Sequence, residues 1–367
     1  MKQRIILVTD SEEPSGVGEH MLTLGSGLAD TYDVVLAAPD HEAGTSLLHR
    51  AAASGLGVKA LDLLNPRQVR GWLADQAPTL LHVHAGIGWE GHDLVRYGKA
   101  AGLAIVRTEH LPYLLTSPIQ QAAYRAMLLS VDGRIAVSQA VYDSHKDRSS
   151  ARLVLIHNGV THRPPTVSRE QMRQALAVAP DDRLLLTVAR LSPQKGHAVL
   201  VDAAPAILAR FANAKFVLVG TGPERDKISA SISQAGLQQN VVMLGHRTDV
   251  PDLLAAADLF ILPSLFEGLP LALLEAMASK LPVVATTAGG SIEAIGSDHP
   301  YLATQGDAAS LGDAIIAALD QPDQAKAEGD KAFRRYNERF STARMAAETA
   351  NFYQSILHKQ GARGTNS

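Results

Sequence analysis

Apolar residues in this chain fall in short, nearly continuous runs, separated by longer stretches in which they recur every three or four positions. In the first half the runs are "RIILVTD", "DVVLAAP", "LLHVHA", "AIVRTEH", "GRIAVS" and "RLVLIHNGV". In the second they are "LLLTVAR", "KFVLVG", "VVMLG", "DLFILPS" and "PVVATT". Strands this rich in Val, Ile and Leu are buried on both faces, which predicts parallel sheets covered by helices. Eleven strands in one open sheet would be unusual, so the rhythm predicts an α/β protein of two Rossmann-like, doubly wound parallel-sheet units. The prolines of "THRPPTVSREQ" predict a linker near residues 161–167, with a helix beginning near Ser168. The expected division is 1–164, 165–335, a helical segment 336–358 and a frayed tail 359–367. The stretch "KAFRRYNERFSTARMAAETANFYQSIL" keeps helical spacing with no strand after it. It predicts one long helix, or two with a break near Ser341.

Composition narrows the function classes. With 367 residues, 46% of them hydrophobic and 19% charged, the chain has material for two or three domains with large cores. A net charge of −3 provides no global field for nucleic acid. The absence of cysteine excludes disulfides, thiolate metal sites and a cysteine nucleophile. "MKQRIILVTD" is too short for a signal sequence and reads as a first strand, and nowhere do eighteen apolar residues run together. The expected location is the cytoplasm.

Doubly wound units bind ligands at the carboxyl ends of their strands, so functional residues should follow strands. In "SGVGEH", Gly16 and Gly18 suit a tight loop approaching a ligand, with His20 beginning a helix; a plain turn is the alternative. The next glycine, Gly25, is too distant for a dinucleotide fingerprint. In "VRTEH", Glu109 and His110 are either a solvated strand end or a histidine placed to bond a ligand hydroxyl or carbonyl. In "ARLSPQKG", Arg190 and Lys195 offer two cations from one loop, which suits a diphosphate better than a solubilising surface pair. "FEGLPLALLE" carries Glu267 and Glu275 eight positions apart across an apolar stretch. A helix beginning at Pro270 would aim the amides of Leu271 and Ala272 back at Glu267 and Gly268, an arrangement for phosphate oxygens. That helix is apolar nearly all round. A structural Glu275 would need a buried cationic or amide partner, and none is evident nearby. "TAGGSIEAIG" adds a further glycine loop.

These residues together resemble the retaining, nucleotide-sugar-dependent glycosyltransferases of family 4, which have the GT-B fold. The resemblance runs through "SGVGEH", "TEH", "VSQAV", "IHNGV", "VARLSPQKG", "VGTGPER", "VVMLGHRTDVPDLLAAADLFILPS" and "FEGLPLALLEAMASKLPVVATTAGGSIE", the last block holding the E-x7-E signature. It implies an acceptor-binding first domain, a nucleotide-sugar-binding second domain and a C-terminal helix crossing back to the first. It implies that Glu267 binds donor-sugar hydroxyls, Glu275 the ribose, Arg190 and Lys195 the diphosphate, and that His110 contacts the donor sugar or lies beside the reacting carbon. Gly16 or Gly18 would approach the phosphate or the acceptor, and Gly245, His246 and Arg247 the base. Many members have Phe-Gly where this chain has Leu269 and Pro270, which removes one backbone donor. The implied chemistry is hexosyl transfer from a UDP- or GDP-linked sugar to a glycan, lipid-linked or small-molecule acceptor, in polysaccharide or glycoconjugate synthesis. Peripheral membrane contact is compatible with such acceptors. No cofactor and no metal are needed, since no DxD-type acidic pair stands at a strand end. Competing readings are an epimerase or phosphorylase of similar fold, a dinucleotide oxidoreductase disfavoured by the missing fingerprint, and a non-catalytic nucleotide-sugar binder. Trp89, Tyr113 and an exposed Leu115 are either acceptor-groove residues or ordinary packing, and the oligomeric state is not legible.

Overall fold

The computed structural model describes residues 2–11, 16–86 and 88–364. The chain divides into two compact units, at Gly159/Val160 and again at Arg339/Phe340, so that the C-terminal segment rejoins the first unit. The first unit holds seven strands, β1 (Arg4–Val8), β2 (Asp33–Pro39), β3 (Gly57–Leu61), β4 (Leu80–Ala85), β5 (Ala104–Glu109), β6 (Gly133–Ala136) and β7 (Arg152–Leu155). All pair in parallel, in the order β3-β2-β1-β4-β5-β6-β7. In β1, Ile5 and Leu7 pack with Met21 and Leu24 of the helix Gly16–Leu28 and with Tyr353 and Ile356 of the last helix. Ile6 and Val8 pack into the opposite layer with Val83, Leu94 and Ile105. Burial on both faces is why these runs show no alternation.

The second unit holds β8 (Arg183–Val188), β9 (Ala214–Val219), β10 (Val241–Gly245), β11 (Leu259–Leu262), β12 (Val283–Thr286) and β13 (Leu302–Ala303), in the parallel order β10-β9-β8-β11-β12-β13. Two strands escape the sequence pattern. β3 is an edge strand whose Gly57 and Val58 are exposed, and β13 is only two residues long. Both units wind identically: two strands add on one side of the first, and the chain then crosses to the other side. The reversal falls between β1 and β4 and between β8 and β11, where an open α/β sheet leaves a crevice at its carboxyl edge.

Residues 161–168 are exposed, and the last of them, Ser168, caps the helix Arg169–Ala175 in a reciprocal arrangement with Gln171. At the far end, the helix Pro322–Arg339 packs in the second unit on the helix Leu271–Ala278. The chain then breaks at Phe340 and Ser341, and the helix Thr342–Gly364 packs in the first unit on the helix Gly16–Leu28. The break falls where Ser341 predicts it. The helix continues through 359–364, where a frayed tail is expected; residues 365–367 lie outside the described residues. Among the described residues no helix is long and apolar enough to cross a membrane.

Candidate active site

In the second unit the loops after β8 and β11 interlock across the switch point. Lys195 ends a short 3-10 turn, Pro193–Lys195, and Gly196 follows at φ +66°. A Cβ on Gly196 would sit 2.0 Å from the Pro263 carbonyl oxygen, so only glycine permits this approach. Gln194 closes the contact twice: its carbonyl accepts from the Leu265 N–H at 2.8 Å, and its Nε2 donates to the Phe266 carbonyl at 2.9 Å. The outcome is a charge pair. Lys195 Nζ donates to Glu267 Oε1 at 2.7 Å, and Ser264 Oγ donates to the same oxygen at 2.6 Å. The Glu267 side chain is 3% exposed and that of Lys195 20%. Such burial is sustainable because the carboxylate is both paired and hydrogen-bonded.

Beyond Glu267 the chain passes Gly268 and Leu269, both buried, and reaches Pro270. Gly268 is pressed against the start of the helix Gly289–Ile295, where a Cβ on Gly290 would lie 1.7 Å from the Gly268 oxygen. Pro270 is the N-cap of the helix Leu271–Ala278 rather than part of its first turn, and no side chain caps this end. The N–H groups of Leu271 and Ala272 therefore lie in the open first turn, a place suited to an anion. Glu275 does not join Glu267. Its side chain is 28% exposed and pairs with Arg163 Nη2 at 3.4 Å, which corrects the expectation that no cation is near. That partner comes from the linker stretch, 112 positions away in sequence, beyond any local reading.

The remaining expected donor contacts line the same carboxyl edge. Arg190 is half-buried just after β8. Its neighbour Leu191 donates to the Thr221 carbonyl after β9 at 2.8 Å, and Gly220 donates to the carbonyl of Gly245, the last residue of β10, at 2.8 Å. His246 is exposed. Arg247 is engaged by Asp249, Nε at 2.8 Å and Nη2 at 2.5 Å, which fixes the guanidinium and leaves Nη1 outside that fork.

The first unit contains a different kind of centre. Gly16 and Gly18 occupy the opening turn of the helix Gly16–Leu28, not a loop, and His20 lies more than a turn inside it; residues 12–15 of the glycine stretch lie outside the described residues. His20 and His110 pack edge to face, their ring centroids 4.6 Å apart. His82 and His84, two positions apart on β4 and so on one face of the sheet, have centroids 4.0 Å apart. His84 Nδ1 lies 3.2 Å from His110 Nε2, and His82 bridges Tyr353 Oη at 2.5 Å and Thr108 Oγ1 at 2.7 Å. All four imidazoles are buried. Burial holds each below the ordinary histidine range, His20 at about 4, so the cluster is uncharged at neutral pH. One ring nitrogen from each of His20, His84 and His110 lies within 4.8 Å of the others, a donor set of metal-ligand type that no sequence motif announces.

Glu109, beside His110, is not a solvated strand end. It accepts from Arg107 Nε at 2.9 Å and from the Tyr124 hydroxyl at 2.7 Å. Burial alone would raise its carboxyl, but the Arg107 guanidinium overrides this and holds it at about 2. Leu115, expected to be exposed, is instead buried in the core against Gly88, Tyr113 is partly buried beneath Arg148, and Trp89 remains half-exposed; residue 87 of that loop lies outside the described residues. Sequence reasoning passed over Ser264, Gln194, Arg163 and His84. Only His84 left a signal, the H-x-H spacing that puts two imidazoles on one strand face.

Similarity to known proteins agrees with this geometry. Residues 168–336 match the family model for glycosyl transferases group 1, and residues 14–163 the model for glycosyltransferase family 4. The phosphatidyl-myo-inositol mannosyltransferase of Mycobacterium leprae is 30% identical over 284 residues, covering 74% of this chain and 72% of that protein. The lipopolysaccharide core biosynthesis mannosyltransferase LpsB of Rhizobium meliloti is 29% identical over 56% of this chain and 61% of its own length. The chain thus spans only about three-fifths of that relative, and 49% of the N-acetyl-alpha-D-glucosaminyl L-malate synthase of Bacillus anthracis. Among solved structures, Anabaena Alr3699/HepE in complex with UDP and glucose shares the fold, with a TM-score of 0.82, 22% identity and coverage of 96% of this chain and 100% of that one. With two parallel α/β sheets and both family models matched in order, the chain belongs to glycosyltransferase family 4.

Proposed function

We propose that this glycosyltransferase moves a hexose-type sugar, with retention of configuration, from a UDP- or GDP-linked donor to a hydroxyl of a glycan, lipid-linked or small-molecule acceptor in polysaccharide or glycoconjugate synthesis. The observation that carries the reading is the Lys195–Glu267 pair at the β8/β11 switch point, beside the uncapped first turn of the helix Leu271–Ala278. Relatives named for lipopolysaccharide core and phosphatidyl-myo-inositol mannosyl transfer, and a structural neighbour holding UDP and glucose, support the same ligand class. A cytoplasmic location, with peripheral membrane contact when the acceptor is lipid-linked, goes with this reading.

Breaking the bond between the anomeric carbon and the diphosphate oxygen leaves positive charge on the sugar and negative charge on the leaving group. Arg190, Lys195 and the Leu271 and Ala272 amides neutralise the latter without a metal ion, an electrostatic contribution that is often the largest in catalysis. Glu267 orients the sugar hydroxyls, and Glu275 exchanges Arg163 for those of the ribose. The departing phosphate accepts the acceptor's proton on the same face, so no covalent nucleophile is needed. A thermal-shift panel of nucleoside diphosphates and their sugar esters tests this. Stabilisation by one base series is the expected result, and no shift with any of them would overturn it.

A further inference from the structure

We propose that Ser264, two residues after β11, is a positioning residue for Glu267, dividing its carboxylate into a structural oxygen and a ligand-facing one; this rests on the donor reading above. Oε1 takes both protein donors, Lys195 at 2.7 Å and Ser264 at 2.6 Å. Among the described residues Oε2 accepts no hydrogen bond. Ser264 is itself immobile. It is fully buried, its carbonyl accepts from Thr286 Oγ1 on β12, and the preceding Pro263 carbonyl is pressed against Gly196. A hydroxyl held at that point has one proton, and it goes to Oε1.

The consequence lies in what Lys195 is then free to do. An ammonium carries three donor protons on a flexible stem, so Lys195 can turn toward a diphosphate. Were Lys195 the only donor to Glu267, that turn would leave a buried carboxylate unbonded and unoriented, at a cost the ligand would have to overcome. Ser264 retains Oε1 during the turn. Oε2, which takes no protein donor among the described residues, is then left to accept from a sugar hydroxyl. Ser264 thus acts on the sugar contact and leaves the anchorage of the nucleotide alone.

Calorimetry with UDP, GDP, UDP-glucose, UDP-N-acetylglucosamine and GDP-mannose separates these effects without knowledge of the acceptor. Ser264→Ala is expected to weaken the nucleotide sugar about tenfold or more, the scale of one lost hydrogen bond to a charged group. It should leave the bare nucleoside diphosphate within about threefold. Ser264→Thr, which keeps the hydroxyl, should restore the sugar increment. Glu267→Ala should show the same selective loss, and the double variant should bind no more weakly than Glu267→Ala alone. Equal weakening of both ligands, or additive losses in the double variant, would overturn the role of Ser264 while leaving the donor reading intact. Failure of the unmodified protein to bind any of the five ligands would overturn the donor reading and this inference together.

Discussion

In its first unit this protein buries four uncharged imidazoles; at the carboxyl edge of its second sheet it sets a half-buried lysine against a buried glutamate. The two sheets share a strand order, so topology does not account for the difference. His82 bonds Tyr353 and Thr108, and His84 meets His110, while His20 Nδ1 and His84 Nε2 stay buried without a hydrogen-bond partner among the described residues, which neutral rings tolerate better than charged ones. The second unit carries full charges, which are tolerable only because they lie within hydrogen-bonding distance and because Ser264 and Gln194 hold the loops that bear them. A neutral polar layer is stable until protons are added. A charge pair at a crevice is already an incomplete ion site, in which an anion and a hydroxyl-bearing ligand can each take one partner.

The largest expected effect removes the cation from the charged edge. Lys195→Ala should lower donor turnover about 10²–10³-fold, the scale of losing one positioned electrostatic donor, with the far-UV dichroism unchanged. Arg190→Ala should act in the same direction. Unchanged turnover in both would end the diphosphate assignment. The neutral edge should respond to pH instead. His20 sits at about 4 in the folded protein against 6.5 as its ordinary value, because burial disfavours its charge. The unfolded chain therefore binds the extra proton first. The contribution is complete above pH about 6.5 and is lost as pH falls toward 4, the loss reaching about 3 kcal/mol from this residue, with His82, His84 and His110 acting in the same direction. Denaturant midpoints between pH 7 and 5 measure the slope, and His20→Gln should flatten it.

Packing supplies the next contrast. Gly290→Ala drives a Cβ into the Gly268 oxygen and should cost about 1–3 kcal/mol in denaturant melts, displacing the Glu267 loop and weakening the donor. The smallest effect belongs to Gly16→Ala. A Cβ there meets nothing within 4 Å, so stability should change by no more than about 1 kcal/mol, and only a loss of donor or acceptor binding would give Gly16 a ligand role.

Much of the second-unit site was legible because its residues are close in sequence to strand ends. Arg190 and Lys195 follow one apolar run and Glu267 follows another, and the run Leu271–Ala278 with Pro270 before it reads as a helix start. The partner of Glu275 was not legible. Arg163 stands 112 positions away, and no periodicity links a linker arginine to a helix glutamate. The glycine stretch misled for a local reason. Gly16 and Gly18 suggest a loop, yet they open a helix whose buried face continues through Met21 and Leu24.

What the sequence by itself determined is the class of fold and the signature that marks the enzyme family. Two-sided burial of parallel strands and the order of the motif blocks follow from residue types and spacing alone. Only the tertiary structure decided which charges meet: that Lys195 and Ser264 share one oxygen of Glu267, that Arg163 covers Glu275, and that His20, His84 and His110 converge. Each of these contacts joins segments brought together by strand order or helix packing, and their worth depends on distances of a few ångströms that a linear pattern does not encode.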